Sequence, residues 1–555
     1  MNFSDRPPLS ISTRGTQDNH TGRWGEITPF FEEKTAPCRQ KCPGNIHIPK
    51  FLKLVQEQNL VDAWRIICEE NPIPRITGRV CFHPCEEDCH RSHFDQGVGI
   101  HQVERFIGDW AFKEGLDHYE QRPAVKEVKV AVIGSGPAGI GCCYHLLKRG
   151  YRVSLFEAKP ALGGLLRYGI PEYRLPKGVL DDELDMIFTS DMDVHLGLTV
   201  GKDVSWQEIR SDFQGIFLGT GAQKPVGPDL EGETSDDVMD GFAFLKTDDK
   251  TSFVRPDQKV LILGGGNTAI DVARTVLRLG GLPTILYRRS RAEMPAFEDE
   301  IAAAVAEGIP ILFCLSPKAI LRDSEGVKGL TCVQNRISEA GIDGRPRFVP
   351  IERSDRLIEG DRIISAFGRL ADIRAIPSGI KGEKEGVVVT EHGSCSTKGF
   401  FAGGDLTPSP RSVIHALASG KRAASGLDAY FSHQEGGGND GDRPRPLVDL
   451  EDINRHYFQK ASRKIPFIRP PGERASDFDE IESSFLPEAA FQEALRCFGC
   501  GTCNTCGNCE FFCPDMAVCL DSDRLSIRID ETYCKGCCIC VEECPRGVLS
   551  IKDYP

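Results

Sequence analysis

The 555-residue chain contains no run approaching the roughly 18 apolar residues that a membrane-spanning helix needs. It has no apolar stretch near its start either. MNFSDRPPLSISTRGTQDNH offers neither a secretory core nor a lipid-anchor signal, so the expectation is a cytoplasmic protein with no membrane span. Excess positive charge is also missing. Lysine and arginine total 67 against 81 aspartate and glutamate, a formal charge of -14, which excludes a broad nucleic-acid surface and makes any basic site local. At about 150 residues per domain the length is too great for one core and calls for three or four domains.

Cysteine is abundant instead, and clustered. Of 23, six lie between Cys38 and Cys89 and twelve between Cys497 and Cys544. In a reducing compartment such density points to metal ligation rather than a disulfide scaffold.

Composition and period divide the chain. Residues 1–35 lack an apolar period and are expected as an extended arm. Residues 36–125 contain IPKFLKLVQEQNLVDAWRIICEEN, with apolar residues three and four apart and a break at Pro72 and Pro74. This is the signature of a helical domain, here flanked by cysteines. Residues 126–227 open as strand, glycine turn, helix and strand. The same order returns in 228–366, and 367–432 returns to the first unit. Residues 433–485 are expected as a linker, flexible across SHQEGGGNDGDRPR, and 486–555 as a cysteine-rich α+β domain. The fold class is therefore α/β, with one Rossmann-like unit inserted into another.

In the first unit, GSGPAG supplies Gly134, Gly136, Pro137, Ala138 and Gly139 as a turn that lets pyrophosphate approach a helix N-terminus. Glu157 ends the next strand, where a carboxylate accepts ribose hydroxyls, so this unit is expected to hold FAD. AGGD, with Gly404 and Asp405, reads as its returning segment, Asp405 reaching the ribityl chain. The second unit carries Gly264, Gly265 and Gly266, with Ala269 where a third packing glycine would stand. Arg288 and Arg289 occupy the place of the acid. Guanidinium there favours a 2′-phosphate, so NADPH is expected, with NADH as the alternative donor.

Cys503, Cys506, Cys509 and Cys513-Pro514 match the C-x2-C-x2-C-x3-C-P run of two-cluster ferredoxins. Cys534, Cys537, Cys540 and Cys544-Pro545 repeat it. The fourth cysteine of each run serves the other cluster, so the expected sets are Cys503, Cys506, Cys509, Cys544 and Cys534, Cys537, Cys540, Cys513. Zinc is the rival reading, disfavoured by the doubled run. Cys497, Cys500, Cys519 and Cys538 are surplus and read as spare thiols, although Cys497 and Cys500 continue the three-residue spacing and could alter ligation. Cys68, inside an apolar helical pattern, is read as core. Thiol–disulfide chemistry is disfavoured. GGLLRYGIP has no cysteine pair, and Cys142 and Cys143 fall within the first nucleotide helix.

Residues 36–430 resemble the NADPH-dependent glutamate synthase small-subunit family. PCRQKCP, GRVCFHPCEEDC, GSGPAG, GGLLRYGIPEYRLPK, GGGNTAIDVA, YRRS and AGGD keep that family's order. The resemblance implies that Gly164, Leu165, Arg174 and Val200 also touch FAD and that Asn267 and Thr268 touch NADPH. It implies one N-terminal [4Fe–4S] cluster on Cys42, Cys81, Cys85 and Glu104 in VERF, with Cys38 or Cys89 as replacements for the glutamate. A second N-terminal cluster would need Cys38, Cys89 and an upstream C-x2-C that this chain lacks. The expectation is three clusters, one N-terminal and two C-terminal. The opening STRGTQDNHTGRW is similar to the leader of the iron–sulfur flavoprotein associated with dissimilatory sulfite reductase.

The expected activity is hydride transfer from NADPH to FAD, followed by single-electron transfer through clusters to a redox protein or ferredoxin, within a larger complex or homodimer. An electron-bifurcating subunit and a non-catalytic wiring scaffold are the alternatives. No side chain is needed as acid, base or nucleophile.

Overall fold

The computed structural model describes residues 26–553 apart from 120–123, 189–191, 229, 232–237, 325, 341–345, 434–444 and 522–525. The STRGTQDNHTGRW leader and most of the SHQEGGGNDGDRPR connector lie outside the described residues. No helix among the described residues is long and apolar enough to cross a membrane.

Apolar runs without alternation fold as strands covered on both faces. Lys129–Ile133 and Lys259–Leu263 are each buried at every residue after the first lysine. Each is the central strand of a five-stranded, all-parallel sheet. The first sheet runs Phe400–Ala402, Gly215–Leu218, Lys129–Ile133, Arg152–Glu157, Asp193–Leu196. The second runs Ile311–Phe313, Leu282–Tyr287, Lys259–Leu263, Arg362–Ser365, Val238–Asp240. Phe400–Ala402 joins the first sheet only after the whole second sheet has formed, so one unit is inserted in the other, as expected. The antiparallel pair of Lys224–Pro225 with Arg369–Leu370 forms the neck. A three-stranded antiparallel sheet over residues 315–359 extends the inserted unit.

The N-terminal helices also follow the apolar period. Ile48, Phe51, Leu52 and Val55 form the buried face of Ile48–Gln56, and Asn59 caps Leu60–Cys68 by accepting from the Asp62 amide. Pro74 opens the next helix at a position where its missing N–H costs nothing. Cys68 packs in this core at 3% exposure, and Cys142 and Cys143 are fully buried in the first nucleotide helix.

The two ends of the chain meet. Ile27–Phe31 pairs antiparallel with Leu549–Asp553, and the Lys34 amide donates to the Gly501 carbonyl at 3.0 Å. The described part of the expected linker, residues 445–485, is a strap fixed to the domains it crosses. Arg463 pairs with Glu86, Arg79 and Arg105 both reach Glu480 at 2.8 Å, and Arg474 reaches Glu307 at 2.9 Å. Ion pairs leave no apolar period, which is why this order does not show in the sequence.

Arg174 supplies a second tie. Its Nη1 lies 3.0 Å from both carboxylate oxygens of Asp271 and its Nε 2.9 Å from Glu300, all largely buried between the two nucleotide units. Breaking a buried pair by removing one partner costs about 3–5 kcal/mol. Arg174→Ala is therefore expected to lower the first thermal transition in calorimetry by several degrees. An unchanged transition would remove this clamp from the account.

Candidate cofactor sites

Strand Lys129–Ile133 passes into helix Pro137–Leu147 through the GSGPAG turn. Gly134 has φ +103°, and a Cβ on Gly139 would fall 1.9 Å from the Gly134 carbonyl oxygen, so only hydrogen fits there. Pro137 stands in the first helical turn beside Ala138, and no side chain caps the helix. Its first-turn amides therefore face whatever anion sits above them. Glu157 Oε2 accepts from the Ser135 amide at 3.0 Å and hydroxyl at 2.6 Å, and Oε1 from the Lys159 amide at 2.8 Å. Oε1 keeps capacity for a ribose hydroxyl. Gly164 packs against Gly136, and Leu165 begins the short helix that follows.

Gly404 and Asp405 follow Phe400–Ala402, so they occupy the same C-terminal edge of the sheet as Gly134 and Glu157, where nucleotides bind such folds. The Gly404 amide donates to Ser419 Oγ at 2.7 Å, and burial raises the Asp405 carboxyl above its usual range. Two residues expected at the flavin make contacts within the protein. Arg174 turns its guanidinium to Asp271 and Glu300, because those buried carboxylates need a cation. Val200 packs its side chain into the apolar cluster with Phe156 and Ile133, leaving only its backbone for a ligand.

The inserted unit repeats the turn. Gly264 has φ +141°, and a Cβ on Gly265 would meet the Tyr287 ring at 2.5 Å. Gly266 precedes helix Asn267–Arg278, again without a side-chain cap. Asn267 Oδ1 accepts from the Phe297 amide at 3.0 Å, and Thr268 lies in the first turn. Arg288 and Arg289 follow strand Leu282–Tyr287. Their carbonyls accept from Asn335 Nδ2 at 2.7 Å and the Cys314 amide at 2.9 Å, which fixes the backbone. Neither guanidinium is paired with a carboxylate among the described residues. Arg288 is exposed and Arg289 half-buried, as a 2′-phosphate site requires.

Cys42, Cys81, Cys85 and Glu104 come together in the helical domain. Burial raises the Cys81 thiol, and Glu104 and Cys42 raise it further; Cys42 and Cys81 act likewise on Cys85. Burial pushes Glu104 up to about 7. Asn71 and Thr77 both donate to Glu104 Oε1, leaving Oε2 for a ligand's role. The ferredoxin-type segment brings cysteines of its two runs together. Cys503, Cys506, Cys509 and Cys544 line one cavity, while Cys513, Cys534 and Cys537 all act on the Cys540 thiol.

These sets fit polynuclear clusters better than zinc. Four thiolates at about 2.3 Å from one zinc would sit roughly 3.8 Å apart. Among the described residues, the one group of three potential ligands within 4.8 Å of one another is His83, Glu86 and His101, with no cysteine in it.

Residues 128–420 match the family model of pyridine nucleotide-disulphide oxidoreductases, and residues 31–116 match the dihydropyrimidine dehydrogenase domain II, 4Fe-4S cluster model. A glutamate synthase [NADPH] small chain from Halomonas elongata is 31% identical over 418 residues, covering 71% of this chain and 88% of its own. The chain belongs to the glutamate synthase small-chain family. Two further relatives cover more of it. The beta subunit of NADP(+)-dependent formate dehydrogenase from Moorella thermoacetica is 33% identical over 500 residues, 84% of this chain and 70% of its own. The beta subunit of NADPH-Fe(3+) oxidoreductase from Geobacter sulfurreducens is 33% identical over 521 residues, 85% and 76%.

Two features of this family member escape sequence reasoning. Phe82, between Cys81 and Cys85, stacks on Phe297 of the inserted unit at 5.2 Å and on His415, in the first turn of the returning helix Val413–Ser432, at 6.1 Å. A cluster site, the nicotinamide-type unit and the flavin-type unit thus meet at one ring stack. Second, Cys497 and Cys500 do not stand alone. They line one cavity together with Cys38 and Cys89.

Proposed function

We propose that this chain is an NADPH-dependent FAD/iron–sulfur oxidoreductase that passes electrons to a redox protein or ferredoxin. Bound FAD supplies the two-electron to one-electron conversion, and [4Fe–4S] clusters supply one-electron steps. The chain's residues bind and align. The GSGPAG amides and Glu157 hold the flavin nucleotide, Arg288 and Arg289 select the phosphorylated pyridine nucleotide, and the thiolates and Glu104 hold clusters. The observation that carries this reading is the Phe82–Phe297–His415 stack, which sets donor unit, flavin unit and first cluster site side by side.

At least three cluster sites belong to the proposal: Cys42, Cys81, Cys85 with Glu104, and the two crossed ferredoxin sets. Relatives named as beta subunits support a place in a larger complex. Their names as NADP(+)- or NADPH-dependent enzymes speak against the scaffold alternative.

A variant carrying Cys503→Ser and Cys534→Ser tests the route. Its flavin is expected to be reduced by NADPH as before, while reduction of an added ferredoxin falls to background. Undiminished ferredoxin reduction would place the exit elsewhere.

A further inference from the structure

We propose that Cys38, Cys89, Cys497 and Cys500 hold a fourth [4Fe–4S] cluster, assembled from the two ends of the chain. This inference rests on the oxidoreductase reading for its role in electron transfer, but its chemistry stands on the donor set alone.

The four cysteines line one cavity, and each is buried or half-buried. Cys38 lies in the short helix Pro37–Lys41, Cys89 precedes the turn His90–His93, and Cys497 and Cys500 follow helix Pro487–Leu495. Chain topology brings them together. Pairing of Ile27–Phe31 with Leu549–Asp553, the Lys34 to Gly501 hydrogen bond and the Gln56 side-chain bond to the Ala494 carbonyl press the C-terminal segment onto the first helices.

Three observations make this a cluster cage rather than a chance meeting of thiols. The four thiols converge on one cavity, as do those of Cys503, Cys506, Cys509 and Cys544, whose spacing is that of a [4Fe–4S] ferredoxin. Second, the Gly499 amide donates to Cys497 Sγ at 3.3 Å. This repeats the amide-to-sulfur bonds of His83 to Cys81 at 3.3 Å and Thr505 to Cys503 at 3.5 Å, each two residues beyond the first cysteine of a run. Third, the wall is cationic. Arg91, Arg496 and Arg546 all act on these thiols; Glu86 acts on Cys89 in the opposite sense but is paired with Arg463, and Asp95 and Glu493 pair with Arg91 and Arg496. The surplus positive charge suits a four-thiolate cluster of net negative charge.

The site lies between the N-terminal cluster site and the ferredoxin sets. Cys85 feels Cys38 on one side, and Cys500 is three residues from Cys503 on the other. It therefore joins the flavin-side cluster to the C-terminal pair, and it also staples the C-terminal domain to the helical domain.

The test is an iron count on the anaerobically purified full chain, with the spin count of the reduced protein beside it. The proposal expects about sixteen iron per chain, and about twelve in a Cys497→Ser/Cys500→Ser variant that keeps its flavin. Cys519→Ser, at an exposed position outside every set, should keep about sixteen. About twelve iron in the unmodified protein, or no loss in the double variant, overturns it. If the double variant does not fold, the count on the unmodified protein decides. Sixteen iron with a flavin that NADPH leaves oxidised would sink the oxidoreductase reading and leave this one standing.

Discussion

Replacing Arg288 and Arg289 together with alanine is expected to raise the KM for NADPH by about 10- to 100-fold, while that for NADH moves by less than about two-fold. Each charge-assisted hydrogen bond to a phosphate contributes about 1.5–3 kcal/mol, and exposure of Arg288 puts the pair toward the lower end. Contacts to a remote 2′-phosphate are the same in ground and transition states, so kcat should hold. Steady-state kinetics with both nucleotides measures this. An equal loss with NADH would mean that the arginines serve the fold, although their carbonyl contacts to Asn335 and Cys314 do not depend on the side chains.

Gly139→Ala should empty the flavin site. The added methyl would lie 1.9 Å from the Gly134 carbonyl oxygen, a backbone contact that no rotamer relieves. Overpacking of this severity costs about 3 kcal/mol or more, over 100-fold in affinity, as the helix moves off the turn and its amides leave the pyrophosphate. The purified variant is expected to carry less than about one-tenth of the normal flavin per chain. Its clusters should remain, because no cluster residue lies on that helix. Full flavin occupancy would show that FAD lies elsewhere.

What the sequence disclosed, and what it hid, follows from the range of each interaction. Gly134, Glu157 and the doubled cysteine runs are local patterns, in which a turn, a strand end or a three-residue spacing carries its own chemistry. They could be read directly. The insertion of one nucleotide unit in the other was legible because AGGD returned after a complete second βαβ pattern. Cys497 and Cys500 were not legible as neighbours of Cys38 and Cys89, since long-range contacts such as the pairing of Ile27–Phe31 with Leu549–Asp553 and the Lys34 to Gly501 hydrogen bond bring the chain ends together. The partners of Arg174 were hidden for a related reason. Asp271 and Glu300 belong to the other nucleotide unit, and nothing near Arg174 in sequence announces them. The strap over 445–485 is held by ion pairs from several domains, which composition renders as a linker.

Glu104 lies between these cases. VERF gave it a place in a family pattern, while the donors Asn71 and Thr77, which occupy one oxygen and leave the other, appear only when the helices pack. A carboxylate so buried is costly unless something positive receives it. Its rise to about 7 expresses that cost, and a cluster iron at Oε2 would remove it.

The most direct measurement of the central claim is anaerobic mixing of the purified chain with NADPH, followed in the visible spectrum. The account predicts rapid bleaching of the flavin band, then a slower loss of the broad iron–sulfur absorbance as electrons spread to the clusters. A flavin that stays oxidised in excess NADPH would contradict it.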